Sequence, residues 1–186
     1  MTEPSWDPDQ FADLGDELRR GAGAEFFAEA AEIEEETHRL RRRRRTLGDY
    51  ASELVQRGDE VAFRVGERTV TGLAVFAGSD YLTVRTGLTE ATVRLAAVAI
   101  AVRRRTEGGH VPVGGARTFK ARLAEFEMSG EPVTLVAPTS GLDLEARIEL
   151  VATDHLVAHD VDGGEWLIPV ARVSLVLREL PTSPCH

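Results

Sequence analysis

His155 and His159 come closest to a metal pair in this 186-residue sequence. On a strand they share a face, but they stand about 13 Å apart at ~3.3 Å per residue, too far for one ion. Asp154 can join only one of them. Asp160 and Asp162 flank a turn, where aspartates hydrogen-bond their own backbone. No Gly-rich phosphate loop follows a strand, and no Ser/His/Asp set presents itself. The sequence therefore predicts no enzyme: no catalytic residue, no cofactor and no metal site.

The arginine run Arg41, Arg42, Arg43, Arg44 and Arg45 is the most conspicuous polar feature. On a helix it circles every face. One reading is a solvated helix end paired with acidic residues of this or another chain. The other is a patch that contacts phosphate, extended by Arg103 to Arg105. Without interleaved aromatics, that patch positions RNA without reading its sequence. The chain as a whole is acidic, with 22 Lys and Arg against 31 Asp and Glu and a net charge of −9. That balance argues against a dedicated nucleic-acid binder and predicts weak, salt-sensitive contact at most.

These residues hang on a pattern that occurs twice. Thr69 to Val84 and Asp143 to Ala158 both alternate apolar and polar before a turn, as a bent strand pair with one buried face does. Val70, Gly72, Ala74 and Phe76 match Leu144, Ala146, Ile148 and Leu150. Phe76 and Leu150 are thereby expected at equivalent core positions. Asp80 and Asp154 recur at matched turns, as turn caps or as a ligand contact in each unit. Tyr81 and Trp166 are expected in core or rim packing rather than as platforms for bases. Glu165, beside Trp166, is expected to have no carboxylate at the matched position of the first repeat.

A capping-box start at Thr46 opens a helix with Leu47, Tyr50, Ala51, Leu54 and Val55 on one side. Thr118 opens another with Phe119, Leu123 and Phe126. Each helix precedes five short strands, with a tight turn at Ala96-Ala97 where the apolar parity flips and the same flip before Val173. Pro169 inside its strand suggests an edge position. The expected organisation is a helical N-terminal arm over 1–45, a first small barrel over 46–105, a linker over 106–117, a second barrel over 118–180 and a tail over 181–186.

The fold class is therefore mainly β with a helical arm: two tandem five-stranded small barrels, each preceded by a short helix. Each repeat resembles a divergent Sm-like (LSm, SH3-like) fold. The whole pattern is similar to uncharacterised actinobacterial proteins of Sm-like type, on the Trp6-Asp7 start, the strand glycine Gly72 and the closing Trp166-Leu167-Ile168-Pro169-Val170. The resemblance implies a barrel that pairs through its strand edges. It does not carry over the family's RNA pocket, because Thr83 and Val84 supply no asparagine. Nor do Val93-Arg94-Leu95 and Ile168-Pro169-Val170 supply an Arg-Gly or Lys-His pair.

In the arm, Phe26, Ala30, Ile33, Thr37 and Leu40 keep a three-four spacing, with the glutamates from Glu25 to Glu36 first and the arginines from Arg39 to Arg45 last. That order suits an antiparallel homodimer in which Glu32 to Glu36 of one copy face Arg41 to Arg45 of the other. The expected function is a non-catalytic interaction or assembly module, its partner a protein or itself. The alternatives are an RNA-binding protein using the arginine run, or a small-ligand binder or enzyme with a site between the barrels. The acidic N-terminus lacks the pattern of a signal peptide, and no apolar run approaches the ~18 residues of a membrane span. Cys185, the single cysteine, fits a reducing compartment. A cytoplasmic protein is expected.

Overall fold

The computed structural model describes residues 34–40, 42–106, 108 and 114–181. They fall in two units, 1–45 and 46–186. In the first, residues 34–40 and 42–44 are helical, and Arg39 pairs with Glu35 one turn earlier at 2.9 Å. Phe26, Ile33 and Arg41 lie outside the described residues, as do 109–113 of the linker and 182–186 of the tail.

The second unit opens with α1, Leu47–Arg57. Thr46 accepts the N–H of Asp49, and Asp49 accepts that of Thr46, so two orphan donors are satisfied reciprocally. Gly58 ends the helix at φ 71°, a conformation that side chains with a Cβ resist. Ala51, Leu54 and Val55 face inward. The strands β1 (Glu60–Val65), β2 (Arg68–Ala77), β3 (Tyr81–Thr86) and β4 (Thr89–Arg94) follow, then a 3-10 turn at Leu95–Ala97 and β5 (Ile100–Arg104). The same order of elements runs again. It comprises α2 (Phe119–Ser129, capped by Thr118), β6 (Val133–Ala137), β7 (Leu142–Val151), β8 (His155–Asp160), β9 (Glu165–Pro169), a 3-10 turn at Val170–Arg172 and β10 (Leu175–Glu179).

The ten strands form a single antiparallel sheet in the order β5-β1-β2-β3-β4-β10-β6-β7-β8-β9. The mainly β expectation holds. The sheet does not close, and it is continuous because β10 pairs on one side with β6 and on the other with β4. Pro169 lies on β9, an outermost strand, where its missing N–H costs no ladder bond.

Two apolar clusters pack on the sheet. One gathers α1 and β1 to β4 but also takes in Val136 and Leu175 from the second half. The other gathers α2 and β6 to β10 but takes in Tyr81 from the first. Each half thus completes the core of the other, at about 1.5–3 kcal/mol per fully buried side chain of Leu or Val size.

The expected core role of Phe76 and Leu150 is corrected by a bulge. Ala74 pairs with Val84 and Phe76 with Thr83, which leaves Val75 unpaired. Ile148 pairs with Ala158 and Leu150 with Val157, which leaves Glu149 unpaired. The two skips fall at the same point. Each bulge turns the following side chain to the other face of the sheet. The core positions are therefore Ala74 and Ile148, both buried. Phe76 is half-buried beneath Gly115, where an added Cβ would meet the ring at 3.0 Å. Leu150 has no such cover and is 48% exposed.

Candidate functional site

The histidines do not converge. His155 Nδ1 lies 2.7 Å from Asp154 Oδ1, and His159 Nε2 contacts Glu149 Oε2 at 2.5 Å. No group of three or more His, Cys, Asp or Glu able to hold a metal occurs among the described residues. Asp160 works within its own turn. It accepts the Trp166 indole N–H at 2.7 Å and the N–H groups of Gly164 and Asp162, and these bonds, led by the indole, hold its carboxyl below the usual range. The hydrogen bond from His155 does the same for Asp154.

The turn aspartates do different work. Asp80 Oδ1 accepts the backbone N–H of Phe119, the first residue of α2. Asp154 is exposed and bonded to its neighbour. Tyr81 is fully buried, as expected, and its hydroxyl donates to Ala116 O at 2.6 Å. Trp166 is exposed instead, because no strand among the described residues pairs beyond β9. Arg42, Arg43 and Arg44 are exposed on their helix and Arg45 is half-buried. Leu40 is exposed. Whether Phe26 and Ile33 meet a second copy lies outside the described residues.

The most elaborate polar arrangement was not anticipated. Glu90 on β4 is 3% exposed and receives Arg122 from α2 and Arg178 from β10, the latter at 3.3 Å. Both guanidinium groups lie over the Phe126 ring, at 4.7 and 5.6 Å from its centroid. Burial alone would lower the Arg122 pKa; the hydrogen bond to Glu125 and the charges of Glu90 and Glu125 outweigh it and raise it. Beside this cluster Thr83 and Thr92 share a hydrogen bond at 3.3 Å. Arg94 stacks 4.5 Å over Phe119 and donates to Val170 O and Val173 O. In sequence, Glu90, Thr92 and Arg94 alternate with Ala91 and Val93 and read as a solvated strand face. No local signal says that α2 and β10 will cover it.

The same register corrects the reading of Glu165. Glu90 pairs with Arg85 and Glu165 with His159, at matched steps of β3–β4 and β8–β9. Glu90 is therefore the counterpart carboxylate that the sequence did not reveal. It is sealed in, whereas Glu165 is exposed.

That contrast extends across the outer face. In the first half, Phe76, Thr83 and Thr92 form a cross-strand row that continues into Val176 and Leu135. In the second half the matched row is Leu150, Val157 and Leu167, and it stops at the edge of β9. Leu167 is 66% exposed. An open depression of about 650 Å³ beside β6 and β10 is lined by Arg178, already bound to Glu131, and by Arg68, already bound to Asp143.

No protein-family model matches the chain, and no curated protein is significantly similar to it. No helix among the described residues is long and apolar enough to cross a membrane.

Proposed function

We propose that this chain is a non-catalytic interaction or assembly module, built by duplication from two small barrels of Sm-like type whose edges serve to pair. One observation carries the reading: the apolar row Leu150, Val157 and Leu167 runs uncovered to the unpaired edge of β9. Exposed apolar rows next to an open strand edge mark surfaces that bind other chains. The single Cys185 fits action in the reducing cytoplasm. Fluorescence-detected sedimentation of the labelled full-length protein in cell extract tests it. The protein is expected to sediment faster than one chain. A single-chain rate in extract at every concentration overturns the reading.

The exposed Arg42, Arg43 and Arg44 favour a second reading, weak RNA contact through phosphates. A mobility shift that is absent even at low salt removes it.

A further inference from the structure

Resting on the interaction reading, we infer that the uncovered face of β7, β8 and β9 is the docking site for the first half of a second copy of this chain, joined head to tail. The molecule contains the pattern for that joint. Within one chain the first half already receives the second. Strand β10 pairs with β4, Phe119 at the start of α2 is held by Asp80, and the row Phe76, Thr83, Thr92 disappears beneath them. Each receiving part recurs on the second half, exposed and with no second-copy strand or helix on it, Asp154 Oδ1 being held meanwhile by the neighbouring His155. Strand β9 stands for β4, Asp154 for Asp80, and Leu150, Val157, Leu167 for Phe76, Thr83, Thr92.

Each inserting part recurs on the first half. Strand β5 stands for β10: Ile100 pairs with Phe63 as Val176 pairs with Leu135, and its far edge is unpaired. Leu47 follows the cap Thr46 as Phe119 follows the cap Thr118, and it is 47% exposed. Carrying the inner seam outward sets Ile100 of one copy against Leu167 of the next, and Ala101 against Trp166, as Val176 meets Thr92 and Leu177 meets Ala91.

The residue types agree with this occupant. Positions that are polar in the inner row, Thr83 and Thr92, are Val157 and Leu167 in the outer one. The threonines of the inner joint thus give way to an apolar row at the outer one, with Glu165 in the place of Glu90. Around it Glu149, Asp154 and Glu165 are acidic, while Arg103 and Arg105 follow Val102 at the end of β5. Like edges of two copies would set acid on acid or arginine on arginine, so the head-to-tail arrangement is favoured over a two-fold one. Pro169 stands where Arg94 donates its N–H to Ser174 O, so the outer ladder is one bond shorter.

The experiment uses the full-length chain. Sedimentation from low to tens of micromolar is expected to show a mass that rises in whole-chain steps. Leu167→Glu, at a side chain already facing water, is expected to weaken assembly about tenfold or more without moving the urea midpoint. In a Cys185→Ser background, Ala101→Cys and Trp166→Cys proteins are mixed and oxidised. A disulfide is expected in the mixture and in neither protein alone. A purified protein of single-chain mass throughout, assembly indifferent to Leu167→Glu, or a cross-link in either cysteine variant alone overturns the inference. A single chain in buffer that is still large in extract overturns self-docking and leaves the interaction reading standing.

Discussion

Asp80 Oδ1 accepts the backbone N–H of Phe119 at 2.7 Å, so a turn in the first half closes the first turn of the helix in the second. Asp80→Ala is expected to cost about 0.5–2 kcal/mol, the range for a lost helix-start acceptor. Asp154→Ala, at the matched but exposed turn, is expected to leave stability unchanged. Urea unfolding of the two variants side by side checks the asymmetry.

Glu90 is the buried carboxylate that the guanidinium groups of Arg122 and Arg178 share at the β4–β10 seam, while Glu125 and Glu131 each pair with one of them from the rim. Glu90→Ala removes the carboxylate they share, leaves Arg122 with Glu125 and Arg178 with Glu131, and is expected to cost about 1–3 kcal/mol. Replacing Glu90, Arg122 and Arg178 together by apolar residues of similar volume is expected to recover most of that loss, because desolvation of the cluster is relieved at the same time. Equilibrium denaturation of the single and triple variants measures it.

Phe76 and Leu150 follow matched bulges but meet different surroundings. Phe76→Ala is expected to cost about 1.5–3 kcal/mol, part of the about 3–5 for a fully buried ring. Leu150→Ala is expected to stay within about 0.5 kcal/mol, as surface changes do. Equal losses at the two positions would contradict the exposure found here.

Acid should act through Asp59, which is buried beside α1. Burial pushes its carboxyl upward, but Arg57 at 2.8 and 2.9 Å and the Thr106 N–H at 2.8 Å outweigh it and hold the carboxyl below the usual value. A depressed native pKa adds stability that is present above the unfolded carboxylate pKa and is lost as pH falls through the native one. Asp59→Asn is therefore expected to flatten the acid side of a stability–pH curve and to lower stability at neutral pH by about 1–3 kcal/mol. Thermal midpoints taken across the acidic range give the slope.

Any nucleic-acid binding should reside in the arginine run. Changing Arg41 to Arg45 to glutamine is expected to abolish binding and its salt dependence, since each phosphate contact contributes a slope of about −0.7 on single strands. Sequence preference, or affinity that survives the change, would place binding elsewhere on the molecule.

The element order was legible because its signals are local. Thr46 and Thr118 cap helices, Gly58 and Gly130 end them, and the parity flip after Leu95 marks a 3-10 turn. The bulges were not legible, since alternation through Val75 and Phe76 looks unbroken until pairing shows which residue is skipped. The seam was hidden for a different reason. Glu90, Thr92 and Arg94 are polar enough to suit water, and only the arrival of β10 makes them interior. At the matched positions Glu165, Leu167 and Pro169 the sequence shows a closing motif, and no local signal marks Leu167 as surface.

Strand β10 is the last strand among the described residues and lies between β4 and β6, inside the sheet. A growing chain emerging from the ribosome therefore holds β4 and β6 with unpaired edges until Leu175–Glu179 appear. Completion is a single late event that joins strands far apart in sequence, a slow kind of step in folding. Until then Glu90 lacks Arg178, and the two half-sheets are joined by contacts other than strand pairing, among them Asp80 with Phe119 and Arg68 with Asp143.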